Sequence, residues 1–161
     1  MRFLLGVFLL VGASSVSAGS AKNPLILPAD RLGLGIEACF EQAASAYGLP
    51  VPLLRALAAV ESNFDPSAFN ANGGVKGNDL GIMQINSRWL PTLEAQGMAP
   101  ERIHDPCTNI HVGAWVLRGN IQTYGWTWRA VGAYHASSRR EDLREAYVQR
   151  VIRALQAQEA S

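Results

Sequence analysis

The stretch from Leu53 to Asn86 carries the most informative pattern of this chain, and it reads LLRALAAVESNFDPSAFNANGGVKGNDLGIMQIN. The apolar run from Ala56 to Val60 leads directly into Glu61. A helix that packs this run places the Glu61 carboxyl on or beside a dry face, where desolvation raises a carboxyl pKa towards the range of a general acid. Most Glu residues near a helix end are solvated surface groups, so the position alone leaves both roles open.

The segment after Glu61 has the composition of a long loop. Pro66 and a series of Asn and Gly residues favour turns and left-handed backbone, and a long loop in a compact domain tends to be functional or disordered. The hexapeptide GIMQIN follows at residues 81–86, with amides at Gln84 and Asn86 that donate and accept hydrogen bonds. Such groups suit a ligand rich in hydroxyl and N-acetyl groups, although a short buried helix with one polar side explains the hexapeptide equally well.

The first eighteen residues have the form of a secretory signal. Arg2 precedes an apolar run from Phe3 to Val11, and small residues lead to Ala18. This segment is too short to span a bilayer stably, so we expect cleavage after Ala18, with Ala21 as the alternative site. The mature protein is then periplasmic or secreted without a stable membrane anchor; an uncleaved permanent anchor is the alternative.

The mature chain has the size of one domain. Cleavage leaves 143 residues, of which 19–34 form a Pro-containing leader and 35–161 a single predicted domain. Loss of Arg2 brings the formal net charge from +1 to zero. Phosphate binding needs concentrated Lys and Arg, and the local pair Arg139-Arg140 is better explained as a solvated turn. Nucleic acid is therefore not an expected partner, and we expect a monomer.

Two cysteines, Cys39 and Cys107, remain in the mature chain. In an exported protein an even pair predicts a disulfide, which would stabilise the fold by roughly 4 kcal/mol in the chain-entropy model. Two free buried thiols are the alternative. The three histidines have no ligand-like spacing with the cysteines, so we predict neither a metal nor a cofactor.

Hydrophobic periodicity predicts an all-α domain, since no stretch shows convincing strand alternation and no later segment is apolar enough to span a membrane. Shorter helical turns are expected around Trp89 and within 126–137. The longer predicted helices run from Ile36 to Gly48, from Pro52 to about Ser62, from about Thr108 to Gly125 and from Glu141 to about Gln158.

Three short signatures occur in order: Glu61-Ser62, the hexapeptide at 81–86, and Ala133-Tyr134-His135-Ala136. Together they resemble the signatures of the soluble lytic transglycosylase family, lysozyme-like enzymes that cleave bacterial peptidoglycan. The resemblance covers about residues 36–138 and implies a fold like that of goose-type lysozymes. A Cys in the first helix and an Asp-Pro-Cys segment before a long helix are similar to the small transglycosylases of secretion, conjugation and pilus systems, whose envelope-spanning machines would be the partners.

The resemblance implies that Glu61 is the single general acid/base. It would protonate the oxygen of the MurNAc-GlcNAc β-1,4 bond and then accept a proton from the muramic acid 6-hydroxyl, which gives a 1,6-anhydro sugar. Ordinary glycoside hydrolysis needs two carboxylates. Asp65 and Asp79 are poor candidates for the second, and the position where goose-type lysozymes carry an Asp is Asn86 here.

The resemblance also implies a set of substrate-binding residues. Met83 and Gln84 would line the cleft, with Gln84 bonding an N-acetyl or hydroxyl group. The Tyr134 hydroxyl would point at the Glu61 carboxyl or at the sugar, and Ser62 would hydrogen-bond near Glu61 or cap its helix. The full set is Ser62, Met83, Gln84, Asn86, Tyr134 and His135.

His135 and Ser137 depart from the family pattern, because many members have Asn and Gly at these positions. A His titrates near neutral pH, so we expect an activity that depends on pH differently or is weak. Two other readings stay open: a hydrolase that uses Asp79 or a water, and a non-enzymatic peptidoglycan-binding or assembly factor. The helix from Glu141 is expected to pack on the domain's own core rather than to dock to a partner.

Overall fold

The computed structural model describes residues 25, 35–72, 77–136 and 139–160. The predicted signal at 1–18 and nearly all of the predicted leader lie outside these ranges. The described part contains six α-helices and a three-stranded sheet. The helices are α1 Ile36–Tyr47, α2 Val51–Ser62, α3 Leu90–Ala95, α4 Pro106–Tyr124, α5 Trp128–His135 and α6 Glu141–Glu159; the strands are β1 Phe69–Ala71, β2 Asn78–Leu80 and β3 Ile85–Asn86.

The helix bounds follow from residues that the sequence places at their ends. α1 stops at Gly48, whose φ of 62° is left-handed and whose N–H donates to the Ala44 carbonyl. α4 begins after Asp105, whose carboxylate accepts a hydrogen bond of 2.8 Å from the Thr108 N–H as an N-cap. The all-α prediction is confirmed for the body of the domain.

The prediction of a strandless loop after Pro66 is wrong. Strands β1, β2 and β3 form an antiparallel sheet in that order, with Asn70 opposite Asp79 and Asp79 opposite Asn86. Each strand has at most three residues, too few for an alternating pattern to appear in the sequence. The hexapeptide at 81–86 is a turn followed by β3 and does not form the short helix considered above.

The core lies between α1, α2 and α4, with α6 packed across α2 and α5. The predicted disulfide between Cys39 and Cys107 is present and joins α1 to α4, with a Cα–Cα distance of 5.1 Å. In α6, Tyr147 and Val151 are fully buried, which confirms that this helix packs on the domain itself. Phe40, Leu57, Ile110 and Leu117 are among the other fully buried side chains.

Gly132 allows α5 and α6 to approach closely. A Cβ at this position would lie 2.9 Å from the Cβ of Arg144 on α6. The buried Arg144 then donates from Nε to the Ala136 carbonyl at 3.0 Å and lies over the Tyr124 ring. These contacts fix α6 beside the end of α5, where the predicted third signature is located.

Candidate active site

Glu61 lies in the last turn of α2, at the base of a cleft. The apolar face of α2 packs into the core and leaves the Glu61 carboxyl largely surrounded by protein. Burial raises its pKa from an ordinary 4.5 to about 7, with a further rise from the Asp79 charge. A hydrogen bond from Tyr147 and the positive charge of Arg150 oppose this rise without cancelling it. Glu61 therefore exchanges its proton near neutral pH.

Tyr147 is the side chain that contacts the Glu61 carboxyl directly. Its hydroxyl donates to Glu61 Oε1 at 2.7 Å, across 86 residues of sequence. Tyr147 was not among the site residues expected from the sequence, so this role was missed. The available signal was that a buried tyrosine hydroxyl needs a hydrogen-bond partner.

Two groups contact the ring of Tyr147. The His135 imidazole is stacked on it, with ring centroids 4.8 Å apart and an interplanar angle of 3°. The Arg150 guanidinium lies 5.3 Å from the ring centroid in a cation–π contact. Desolvation and the Arg150 charge lower the pKa of His135 from its usual 6.5, so its imidazole is neutral at pH 7.

Tyr134 lies in the cleft with Glu61 as expected, but its hydroxyl makes its hydrogen bond elsewhere than to the Glu61 carboxyl. Its hydroxyl donates to the Met83 carbonyl at 3.0 Å, whereas the hydroxyl directed at Glu61 is that of Tyr147. Gly113 on α4 makes room for this contact, because a Cβ there would lie 2.9 Å from the Tyr134 hydroxyl. Tyr134 still lines the cleft and ties α5 to the turn at 81–84.

Met83 also differs from its expected role. Its side chain is fully buried, so in this structure it supports the turn from the core and does not line the cleft. Gln84 does line the cleft, with a left-handed φ of 48°. Its side-chain Nε2 donates to the carbonyls of Gly81 at 2.9 Å and Ala68 at 3.2 Å, which fixes the direction of the amide.

Asn109 holds the same turn from the N-terminal part of α4. This buried amide donates from Nδ2 to the carbonyls of Leu80 and Ile103 at 2.9 and 3.0 Å, and its Oδ1 accepts from the Met83 N–H at 2.8 Å. Gly81 is needed beside it, since its φ is 72° and a Cβ would lie 2.6 Å from Asn109 Nδ2. Asn109 was not predicted as a site residue. The sequence signal that could have indicated it is its position on the buried face of α4.

Ser62 donates from Oγ to the Ile82 carbonyl at 2.7 Å and thereby links α2 to the turn. A longer contact of 3.4 Å to the Ala58 carbonyl lies within its own helix. The residue thus stands next to Glu61 as expected, and its hydroxyl positions backbone around the carboxyl.

Asp79 is an acidic residue in the cleft besides Glu61. Its Oδ1 accepts from Asn86 Nδ2 at 2.7 Å, and its Oδ2 accepts from Asn72 Nδ2 at 2.5 Å. Asp65 does not line the cleft: it is exposed, and hydrogen bonds from Ser67 lower its pKa. Of these two candidates for a second carboxylate, Asp79 lies in the cleft with Glu61 and Asp65 does not.

The cleft has a volume of about 660 Å³ and runs between the sheet and the helices α2, α5 and α6. Arg88 and Arg150 add positive charge beside the two carboxyls, and amides and aromatic rings complete the wall. Among the described residues, no group of three His, Cys, Asp or Glu side chains is arranged to hold a metal ion. An open, amide-rich cleft around one proton-exchanging carboxyl suits acid/base chemistry on a polar polymer. The lining includes Asn70, Asn72, Asn86, Trp89, Tyr134 and His135.

A helical domain with a small antiparallel sheet beside a cleft, and with one buried carboxyl at the end of a core helix, defines the lysozyme-like class. The chain belongs to the transglycosylase SLT domain family, whose sequence profile matches residues 38–155. This membership supports a lytic transglycosylase-like activity.

Curated relatives agree with this assignment. The chain is 37% identical over 116 residues to "Invasion protein IagB" of Salmonella typhimurium, covering 70% of this chain and 72% of that protein. It is 40% identical over 106 residues to "Protein IpgF" of Shigella flexneri, covering 65% and 69%. A "Peptidoglycan-binding-like protein" of Escherichia coli O157:H7 is 31% identical over 113 residues, covering 66% and 68%. None of the helices in the described ranges is long and apolar enough to cross a membrane.

Proposed function

We propose that the protein is a peptidoglycan lytic transglycosylase that cleaves the MurNAc-GlcNAc β-1,4 bond with Glu61 as its single general acid/base. The observation that carries this proposal is the burial of the Glu61 carboxyl, which raises its pKa to about 7. A group with this pKa is present in both protonation states near neutral pH, as a residue that donates and then accepts a proton requires.

The reaction proceeds in two proton transfers. Glu61 gives its proton to the glycosidic oxygen as the bond to the MurNAc anomeric carbon breaks, which releases the GlcNAc hydroxyl. The 6-hydroxyl oxygen of the same MurNAc then bonds to the anomeric carbon, and its proton passes to the Glu61 carboxylate. The enzyme returns to its starting state, and no water is consumed. The product ends in 1,6-anhydro-MurNAc.

Tyr147 acts as a positioning residue in this scheme. Its hydroxyl holds Glu61 Oε1, so Oε2 is the atom that would face the glycosidic oxygen. The same hydrogen bond stabilises the carboxylate after the proton has left, because a donor to the ionised form favours that form. Substrate contacts are assigned to Gln84, Asn86 and His135, which line the cleft; Ser62 and Tyr134 shape its backbone.

A hydrolase that uses Asp79 is the second candidate. The position of Asp79 in the cleft favours it, because glycoside hydrolysis needs a second carboxylate. Both Asp79 oxygens, however, already accept hydrogen bonds from Asn72 and Asn86. Both oxygens are thus occupied by amides of the cleft wall, which supports the internal 6-hydroxyl as the nucleophile.

The cellular role we propose is local opening of the cell wall for a secretion, conjugation or pilus machine. The signal predicted at 1–18 and the similarity to a protein named for invasion support it. The protein would then act outside the cytoplasm on glycan strands.

Purified sacculi digested with the mature protein test the chemistry, with soluble muropeptides read by mass spectrometry. We expect products one water lighter than hydrolysed fragments, absent with Glu61→Gln and unchanged with Glu145→Gln, a matched change on the exposed face of α6. Reducing ends that carry the water would favour the hydrolase. No soluble product at all would contradict both and favour a binding role.

A further inference from the structure

His135 is the last residue of α5, and it lines the cleft that contains Glu61. Its imidazole is stacked on the ring of Tyr147, with the two planes only 3° from parallel and the ring centroids 4.8 Å apart. Tyr147 is fully buried and does not line the cleft, so the imidazole lies on the cleft side of the tyrosine ring. An exposed side chain thus packs flat on the residue whose hydroxyl holds the Glu61 carboxyl.

Contacts between α5 and α6 bring the two rings together. Gly132 lets α6 approach, because a Cβ there would lie 2.9 Å from the Arg144 Cβ. Arg144 then donates from Nε to the Ala136 carbonyl at 3.0 Å, one residue after His135. Arg144 precedes Tyr147 by three residues, so both lie on the same face of α6. The end of α5 is thus fixed against the turn of α6 that carries Tyr147.

The bond from Tyr147 to Glu61 depends on the position of the tyrosine ring. The hydroxyl lies at the far end of the ring and its bond to Glu61 Oε1 is 2.7 Å long. Hydrogen bonds between oxygens extend from about 2.5 to 3.0 Å, so a small swing of the side chain would break this bond. A flat group packed on the ring face opposes movement perpendicular to the ring plane. The imidazole does so on the side that faces the open cleft.

The imidazole is suited to this contact because it is neutral at pH 7. Desolvation and the Arg150 charge lower the pKa of His135, and the Asp79 charge opposes this only in part. The Arg150 guanidinium already lies 5.3 Å from the centroid of the Tyr147 ring. A neutral ring therefore adds a flat face without a second positive charge beside that guanidinium. The Asn that many family members carry at this position has no ring to stack.

We propose that His135 is a positioning residue that holds the Tyr147 side chain in the place where its hydroxyl reaches Glu61 Oε1. The proposal deepens the proposed function and rests on it, because it takes Glu61 as the acid/base. His135 acts through Tyr147 in this role, while the edge of its imidazole still faces the substrate. The departure from the family's Asn thereby supports the acid in addition to changing the cleft wall.

The titration of Glu61 in the substrate-free protein tests the proposal, measured by carbon-13 NMR of labelled glutamate carboxyls and assigned with Glu61→Gln. The Tyr147 hydrogen bond lowers the pKa of Glu61, so Tyr147→Phe defines the upward shift for its complete loss. His135→Leu fills similar space without a flat face, and we expect most of that upward shift. His135→Phe restores a flat ring and should keep the pKa at about 7. His104→Leu, an exposed change away from the cleft, is the matched control and should shift nothing.

Three outcomes of the titration would overturn the proposal. An unchanged pKa of Glu61 in His135→Leu would show that the core alone holds Tyr147. A lower pKa in that variant would show that the imidazole acts by keeping water from the carboxyl, since better solvation favours the ionised form. Equal upward shifts in His135→Leu and His135→Phe would show that a flat ring is not what holds the tyrosine.

Maximal rates on sacculi give a second readout. His135→Leu should lower the rate about two- to tenfold relative to His135→Phe, the fold-change that corresponds to one aromatic pair. Both variants lose the polar edge of the imidazole, so a lost substrate contact affects them alike, and equal rates would count against the positioning role. The titration needs no turnover. Absence of anhydro products would therefore refute the proposed function and leave the titration standing, whereas an unshifted titration would refute the positioning role and leave the products intact.

Discussion

In the proposed mechanism Glu61 loses a proton and regains it in one turnover, and its surroundings influence both steps. Burial makes the ionised form costly, while the hydroxyl of Tyr147 and the charge of Arg150 stabilise that form. Burial has the larger effect and leaves the pKa at about 7, so both protonation states are populated near neutral pH, which is the condition for one side chain to serve as acid and base. His135, stacked on Tyr147, belongs to the same cluster but is neutral at pH 7.

Tyr147→Phe tests the balance at Glu61. For the wild type we expect kcat/KM on sacculi to fall by about tenfold per pH unit well above pH 7, since the acid has then lost its proton. Without the Tyr147 hydroxyl the pKa of Glu61 rises, so the alkaline limb of the pH–rate profile moves to higher pH. The maximal rate should drop about tenfold or more, which is the size of effect expected when a hydrogen bond to a charged group is lost. Solubilisation rates between pH 5 and 9 measure this. An unshifted limb in the variant would show that Tyr147 does not act on Glu61.

Glu61 also carries a stability cost that depends on pH. Its pKa is 4.5 when unfolded and about 7 when folded, so the folded state binds the proton more tightly. The free energy of unfolding therefore falls as pH rises from 4.5 to 7, by an amount on the order of 1–3 kcal/mol. Glu61→Gln should raise the melting temperature at pH 8 and change it little at pH 4.5. Calorimetry at pH 4.5 and pH 8 measures the melting temperatures of Glu61→Gln and of the exposed control Glu145→Gln. The same pH dependence in both variants would contradict the prediction.

At the scale of elements, the turn at 81–84 is the piece that joins sheet, α4 and α5 around the cleft. Asn109 bonds it from α4, Tyr134 from α5 and Ser62 from α2. The turn needs this external support because Gly81 and Gln84 both have left-handed backbone. Its shape is therefore set by three helices.

Gly81→Ala should disrupt this junction. A Cβ at φ 72° is strained and would meet Asn109 Nδ2 at 2.6 Å, so we expect a loss of about 1–3 kcal/mol in unfolding free energy and a marked loss of activity. Gly119→Ala is the matched control: it lies within α4 in open space and should stabilise the protein by up to about 1 kcal/mol. Urea denaturation compares the two, and equal effects would contradict the strain argument.

The elements also show which features sequence patterns can predict. The position of Glu61 and the bounds of α1, α2, α4 and α6 follow from local periodicity, helped in α1, α2 and α4 by Gly or Pro at an end. The sheet could not be predicted, since strands of two or three residues leave no period. Tyr147 could not be assigned either, because its contact with Glu61 depends on how α6 packs against α2. Met83 was misplaced because the turn directs its side chain into the core.

At the scale of the whole molecule, one covalent link joins the start of the domain to the helix that supports the cleft. The disulfide between Cys39 and Cys107 closes a separation of 68 residues that contains α2, Glu61 and the entire sheet. Its main effect in the chain-entropy model is on the unfolded state. The link therefore stabilises the fold without contacting the chemistry.

Replacement of both cysteines by alanine should lower the unfolding free energy by about 2–5 kcal/mol. The effect should appear equally when the wild type is measured in reductant, and activity per folded molecule should remain. Guanidinium denaturation with and without reductant measures the unfolding free energy. Sacculus digestion at guanidinium concentrations below the unfolding transition measures the activity per folded molecule. Full loss of activity in protein that is still folded would show that the bond shapes the cleft itself.

The hydrogen bond between Glu61 and Tyr147 also orders events during biosynthesis. Its donor belongs to the last helix of the domain and its acceptor to the second, so a chain emerging from a ribosome or a translocation channel exposes Glu61 long before Tyr147. A partly synthesised chain would then contain Glu61 without the Tyr147 hydroxyl that holds its carboxyl. We expect chains stopped at residue 140 to leave sacculi intact, so that a wall-cutting activity arises only after synthesis of the domain has finished.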